Sequence, residues 1–245
     1  MFDFSEFKRI APEWSSRLHY HEQISSTSDE AHRLASEGAP HGTLVIAEQQ
    51  TSGRGRRGAV WLSEPGDGLL FSIIIRPKSS REGWSRLALT AGLGIATCLN
   101  SEWSVPAELK WPNDIYIEGK KCCGILLESS SDYVVVGIGL NVAYSPEGNA
   151  FTSVWEHLGK PIAREELLYD ILTAVWRELD DEQAFTEQLV RLRKLCLLTG
   201  KVISFISQGE QYSGKFIKIG ETGEMLVKID GQTLSYLNAE QIRIV

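Results

Sequence analysis

Strand-length apolar runs alternate with helix-length apolar stripes over residues 1–199, and only short strands and turns follow over 200–245. Together these patterns predict an α+β fold in two parts: a sheet flanked by helices, then a small SH3-like β-barrel. The change falls at Thr199-Gly200. A chain of 245 residues with 42% hydrophobic content is large enough for one sizeable core and a small one.

Leu18 to Ile24 reads as a first strand. Ser28 is expected to cap a helix that places Ala31, Leu34 and Ala35 on one face and stops at Gly38. Thr43 to Glu48 is a second strand, and Leu69 to Ile75 is an almost continuously apolar third. Trp84, Leu87, Ala88, Ala91 and Ile95 keep helical spacing and mark a long buried helix. Ile115 to Ile117, Gly124 to Leu127 and Tyr133 to Val142 are strand-like, and Glu118-Gly119 makes the first two a hairpin. Two helix stripes follow, one from Leu168 to Leu179 and one from Phe185 to Cys196. In the tail, Val202–Ile206, Gly214–Ile219, Met225–Ile229, Thr233–Leu237 and Ile242–Ile244 are short strands. Gly220-Glu221-Thr222-Gly223 and Asp230-Gly231 supply turns between them.

Composition narrows the function. The 25 basic and 32 acidic side chains leave a net charge of -7, against a general nucleic-acid binder. The tail carries five of each sign, so it forms no basic surface either. Four cysteines, Cys98, Cys122, Cys123 and Cys196, have neither metal-ligand spacing nor a disulfide framework. There is no signal-peptide pattern at the start and no run of about 20 apolar residues for a membrane span. A reduced cytoplasmic setting is expected.

The densest chemistry lies in Gln49-Gln50-Thr51-Ser52-Gly53-Arg54-Gly55-Arg56-Arg57-Gly58, directly after a buried strand. Glycines let backbone amides approach a ligand, and arginines offer rigid forks of donors to carboxylate and phosphate oxygens. No acid occurs from Gln49 to Ser63, so this is a local cationic spot on an acidic chain. It reads as a flexible clamp for a small anion. Three further clusters accompany it. Ser25-Ser26-Thr27-Ser28 places surplus hydroxyls at a helix start, either as a plain cap or as donors and acceptors for a polar neutral group such as a urea. Lys110-Trp111-Pro112-Asn113-Asp114 precedes Lys120-Lys121 on a hairpin that can return Lys121 to the same cleft. Gly137-Ile138-Gly139-Leu140-Asn141 sets two glycines in a strand, which signals either a bulge or a close approach to the backbone.

In this order, these elements resemble the biotin protein ligases, over most of residues 20–145. The resemblance implies a class II synthetase-like catalytic domain on a central mixed β-sheet. It also implies ATP, biotin and Mg²⁺, formation of biotinyl-5′-AMP, and transfer of biotin to one lysine of a biotin carboxyl carrier protein domain. It assigns Ser26, Thr27 and Gln50 to the ureido ring, with Ser28 beside them where many relatives have Asn. Arg54, Gly55 and Arg56 would fold over biotin and phosphate, with Gly124 and Gly137 bordering the vitamin. Lys121 would sit near the carboxylate and α-phosphate. Trp61 would pack on adenine, and Asn113, Gly139 and Asn141 would meet the nucleotide. Asp114 is the candidate Mg²⁺ contact. Arg54, Arg56 and Lys121 are the cations expected to offset like-charge repulsion, which at about 4 Å is on the order of 4 kcal/mol at an effective dielectric near 20. Ala59 replaces a basic residue of some relatives, which implies a looser hold on the adenylate.

Only about 24 residues precede Ser25, too few for a three-helix DNA reader, so a single-function enzyme without DNA binding is expected. Homodimers through the central sheet are common in the family. A lipoate- or octanoate-transferring relative is the nearest alternative, disfavoured by the glycine-arginine loop and the Lys-Trp-Pro-Asn-Asp string. A nucleotide or RNA module without enzymatic activity is the remote one.

Overall fold

The structure is a computed structural model that describes residues 2–78, 80–144, 146, 148, 150–180 and 185–245. Its larger sheet has seven strands in the order β1-β2-β3-β7-β6-β5-β4. They span β1 Leu18–Ile24, β2 Leu44–Gln50, β3 Gly68–Ile75, β4 Ala107–Lys110, β5 Asp114–Ile117, β6 Lys120–Ser129 and β7 Val134–Asn141. β1 and β2 run parallel and every other neighbouring pair runs antiparallel, so the sheet is mixed. The expected β5–β6 hairpin is present. Glu118 and Gly119 both take positive φ, 50° and 79°, the pair of left-handed residues a tight hairpin needs.

Strand alternation divides the side chains between two helical layers. On one face, Val45, Ile74, Tyr133 and Val135 pack against Ala31, Leu34 and Ala35 of helix α2, Thr27–Ser36. On the other face lies the main core, with helix α3, Leu87–Ser101, and helix α5, Arg164–Asp180, behind it. Gly94 lets these two helices touch backbone to backbone, since a Cβ there would stand 2.7 Å from Val175 Cα. A short helix α1, Phe4–Ile10, packs on α5; α4 is Val154–Leu158 and α6 is Phe185–Leu195. A buried pair ties the N-terminus to the sheet: Arg164 Nη2 lies 3.0 Å from Glu48 Oε1, and the Phe2 amide donates to Glu48 Oε2 at 3.0 Å.

The tail forms a separate five-stranded antiparallel sheet ordered β11-β10-β9-β8-β12, in which β8 is Val202–Ser207, β9 Glu210–Ile219, β10 Met225–Ile229, β11 Gln232–Tyr236 and β12 Glu240–Ile244. Its strands pair in a row, with β11 and β12 at its edges, so the expected small barrel is realised as an open SH3-like sheet. Phe205, Phe216, Met225 and Val227 join the main core, and Trp111 Nε1 donates to Gly223 O at 2.9 Å. The bulky residue of the Lys-Trp-Pro-Asn-Asp string thus anchors the tail to the large sheet.

Three local expectations change. The helix begins at Thr27, with Ser26 in the cap position and Ser28 inside the first turn. Gly137 and Gly139 do not mark a bulge, because β7 pairs with β3 in unbroken register from Val134 to Asn141. β4 and the helices α1 and α4 are additional elements. All four cysteines are buried free thiols, and burial pushes the Cys98 thiol up to about 12. No helix among the described residues is long and apolar enough to cross a membrane.

Candidate functional site

Helix α2 covers only part of its face of the sheet. Beyond its N-terminus the register places Gly124 opposite Gly139, and Leu126 opposite Gly137. A cavity of about 300 Å³ opens there, within the size range of small-molecule sites. Its lining brings together Ser26, Thr27, Ser28, Gln50, Arg54, Gly55, Arg56, Trp61, Asn113, Asp114, Lys121, Gly124, Gly137 and Gly139. Asn141 stands apart from it. Its side chain is buried and donates to Thr152 O at 3.1 Å, tying the end of β7 to the following segment.

One wall of the cavity is a polar network. Gln50 Oε1 accepts from both the Thr27 amide, at 2.7 Å, and the Thr27 hydroxyl, at 3.0 Å. The glutamine thereby satisfies an orphan amide at the start of α2, and Ser26 makes no side-chain cap of its own. Ser72, fully buried on β3, donates to Thr27 Oγ1 at 2.9 Å and shares a hydrogen bond with Ser28 Oγ at 3.2 Å. With its carbonyl oxygen doubly engaged, Gln50 keeps its amide group as a donor for a ligand.

The floor is glycine because other side chains need the space. A Cβ on Gly137 would lie 2.6 Å from Ser28 Oγ. One on Gly139 would lie 2.4 Å from Cε2 of Trp61, and one on Gly124 would lie 3.0 Å from Cζ3 of the same ring. The indole therefore lies flush on the strands, and its Nε1 is buried without a hydrogen-bond partner.

The glycine-arginine loop forms the lid. The Gly55 amide donates to Ala59 O at 2.6 Å and the Trp61 amide to Gly53 O at 3.0 Å, which closes it into a narrow hairpin. Its three arginines point to different partners. Arg54 meets two acids: Nη1 lies 2.7 Å from Asp29 Oδ1, and Nη2 lies 3.3 Å from Glu128. Burial works against its charge, yet Asp29 and Glu128 hold its pKa above the ordinary value. Arg57, left-handed at φ 57°, pairs with Glu240 of the tail. Arg56 instead donates to the neutral Asn113 Oδ1 at 3.0 Å, and Asn113 is itself fixed by donating to Ile125 O at 2.7 Å. Burial, and then the neighbouring Arg57 charge, push the Arg56 pKa below its usual value. Among the described residues Arg56 forms no ion pair, so its charge is left for an incoming anion.

Across the cavity Lys121 Nζ lies 2.8 Å from Asp114 Oδ1, an ion pair that falls short of a well-aligned hydrogen bond. The same ammonium stands 6.0 Å from the centroid of the Trp61 ring. Two backbone bonds secure Lys121: its amide donates to Ala150 O and its carbonyl accepts from Thr152, both at 2.9 Å. This strap brings Phe151 into the lining. Lys110, from the same motif as Asp114, is held by Tyr116 Oη at 3.0 Å, and burial lowers its pKa. Among the described residues no group of three or more His, Cys, Asp or Glu side chains is arranged to hold a metal ion.

Sequence reasoning did not single out Ser72, Phe151, Asp29 or Glu128. Ser72 and Glu128 arrive through sheet register, Asp29 through the first turn of α2, and Phe151 through the return of the chain along Lys121.

The chain is similar to known proteins. A profile of the biotin/lipoate A/B protein ligase family matches residues 20–142. The bifunctional ligase/repressor BirA of Bacillus subtilis is 33% identical over 224 residues, 86% of this chain and 69% of its own length. The biotin--[acetyl-CoA-carboxylase] ligase of Paracoccus denitrificans is 31% identical, covering 84% of this chain and 92% of that protein. The structure of the Aquifex aeolicus biotin protein ligase in complex with biotin and ATP superimposes with a TM-score of 0.84 at 31% identity, over 94% of this chain and 99% of that one.

Proposed function

The chain belongs to the biotin/lipoate A/B protein ligase family, and we propose that within it this protein is a biotin ligase that forms biotinyl-5′-AMP and passes biotin to a lysine of a carboxylase's biotin carrier domain. The observation that carries this reading is the division of one cavity into two chemistries. A neutral wall of Ser26, Thr27, Ser28 and Gln50 suits a urea, while Arg56 and Lys121 face it as cations. Biotin carries the same division, a ureido ring at one end and a carboxylate at the other.

In the first step a carboxylate oxygen attacks the α-phosphorus of ATP. A C(O)O–P bond forms, the bond from that phosphorus to the bridging oxygen breaks, and pyrophosphate leaves. Arg56 and Lys121 offset the repulsion between the two anions, and Asn113 keeps Arg56 aimed without neutralising it. The Trp61 indole supplies a flat surface for adenine. In the second step the neutral ε-amine of the carrier lysine attacks the activated carbonyl, AMP leaves and the amine loses a proton. The activated acid is the mixed anhydride itself, so no enzyme nucleophile is required. A Mg²⁺ carried by ATP would supply positive charge at the phosphates, and Asp114, the carboxylate of the cavity lining, would be the residue to meet it, in exchange for its pairing with Lys121.

Ordering of the lid gives a sequence of binding. Fixing about nine loop residues costs roughly 1 kcal/mol or more each, of which the ion pairs of Arg54 offset only a part, so biotin binds first and completes the ATP site. The test of function is ATP–pyrophosphate exchange with biotin, with lipoate and with neither. Exchange that depends on biotin is expected, and equal exchange with lipoate would overturn the assignment.

A further inference from the structure

Arg54 and Arg56 are two residues apart, yet their surroundings are opposite. Arg54 sits at the base of the lid hairpin, where it pairs with Val60 as an isolated antiparallel bridge. Its guanidinium spans two acids from separate elements: Asp29, in the first turn of α2, and Glu128, near the end of β6. Both oxygens of Glu128 lie 3.3 Å from Arg54 Nη2. Behind Glu128, His32 Nε2 stands 3.9 Å away, and its Nδ1 lies 3.3 Å from Tyr133 Oη, so the acid is backed by a packed surface. One guanidinium facing two carboxylates leaves no net positive charge for a ligand. The hairpin base is nevertheless fixed to both α2 and β6, the two elements that border the cavity.

We propose that Asp29 and Glu128 are the docking pair that holds the glycine-arginine lid closed through Arg54, making all three positioning residues and leaving Arg56 as the lid's cation toward the ligand. This rests on the biotin ligase reading for its kinetic consequence, but its structural consequence can be read without any ligand. An undocked lid exposes the bonds after Arg56 and Arg57 to trypsin. It also weakens biotin binding, because the ligand must then supply the closure itself, while a lid once closed performs the chemistry at its normal rate.

The test compares wild type, Arg54→Ala, the double variant Asp29→Asn/Glu128→Gln, and the triple combination. The three docking side chains are partly exposed, so folding is expected to be intact, and thermal melting checks it. In the ligand-free protein, cleavage after Arg56 and Arg57 should run about 5- to 10-fold faster in the double variant, the yield of two partly exposed ion pairs. KM for biotin in pyrophosphate exchange should rise by a similar factor, with kcat within about twofold. The triple variant should be no worse than the double, since all three side chains serve one contact. Unchanged cleavage in the double variant would overturn the proposal. So would a double variant that exchanges pyrophosphate at least as fast as wild type while Arg54→Ala loses kcat, because Arg54 would then be acting on the ligand directly. Absence of biotin-dependent exchange in the wild type would sink the ligase reading instead, and the cleavage rates would still decide the docking.

Discussion

Gly139→Ala adds one methyl group, and it should damage nucleotide binding while leaving the fold intact. The new Cβ would lie 2.4, 2.7 and 2.8 Å from Cε2, Cζ2 and Nε1 of Trp61. Carbon atoms in van der Waals contact sit about 3.5–4.0 Å apart, so the ring must retreat by roughly 1 Å or more. β7 cannot yield, because it is hydrogen-bonded along β3 on one side and β6 on the other. Overpacking of this kind costs about 1–3 kcal/mol. That corresponds to about a 5- to 150-fold loss in occupancy of the state with Trp61 seated, at 1.4 kcal/mol per factor of ten. Alanine suits the backbone of an extended strand, so the fold should persist, with a loss of thermal stability no greater than that overpacking cost. Biotin-dependent pyrophosphate exchange is the assay, with a rise in KM for ATP of at least about fivefold as the expected result. Trp61→Ala should weaken ATP binding by itself and abolish any further effect of Gly139→Ala. An unchanged KM for ATP, or a full effect of the glycine change in the Trp61→Ala background, would refute the idea that these glycines exist to seat the indole.

Three other outcomes are expected. Arg56→Ala should slow adenylate formation by about 10²-fold or more and leak the adenylate, because the lid arginine that forms no ion pair among the described residues is gone; a near-normal exchange rate would remove Arg56 from the mechanism. Ser72→Ala takes out the buried hydroxyl that donates to Thr27 and meets Ser28, and should raise KM for biotin about fivefold through a loss of about 1 kcal/mol, with kcat preserved. A loss confined to kcat would contradict its positioning role. Glu48→Gln strips the carboxylate from the buried Arg164 and should destabilise the protein by about 3–5 kcal/mol, read by denaturant melts. A loss below about 1 kcal/mol would show that the guanidinium finds water or another partner.

Periodicity and turn chemistry were local properties, and they were legible in the chain. Leu18–Ile24 and Met225–Ile229 have the bounds their apolar patterns imply, and Glu118-Gly119 turns where two left-handed residues are needed. β4 escaped detection because Ala107–Lys110 has no β-branched or aromatic residue, whereas the equally short β5 carries Ile115, Tyr116 and Ile117. Ser26 rather than Ser28 holds the cap position because the Gln50 side chain, 23 positions away, receives the Thr27 amide and lets the helix begin there. The run of hydroxyls alone could not register that distant acceptor.

The motifs likewise named most of the cavity lining before any fold was known, since glycines, arginines and hydroxyls concentrate where backbone and charge must meet a ligand. Their division of labour was not written in those strings. Arg54 and Arg56 are the same residue type in one loop, and only the placement of Asp29, Glu128 and Asn113 separates a neutralised arginine from one with its charge to spare. The paired glycines left a bulge and a close approach equally open until the unbroken β7 register and the position of Trp61 decided between them. Asn141 ends the motif string, yet it lies outside the cavity because its side-chain amide turns to the Thr152 carbonyl. Sequence determined which chemical groups were present and roughly where each element ran. Their partners across strands and helices were decided by tertiary packing, because charge compensation and steric room depend on distances in space that spacing along the chain does not encode.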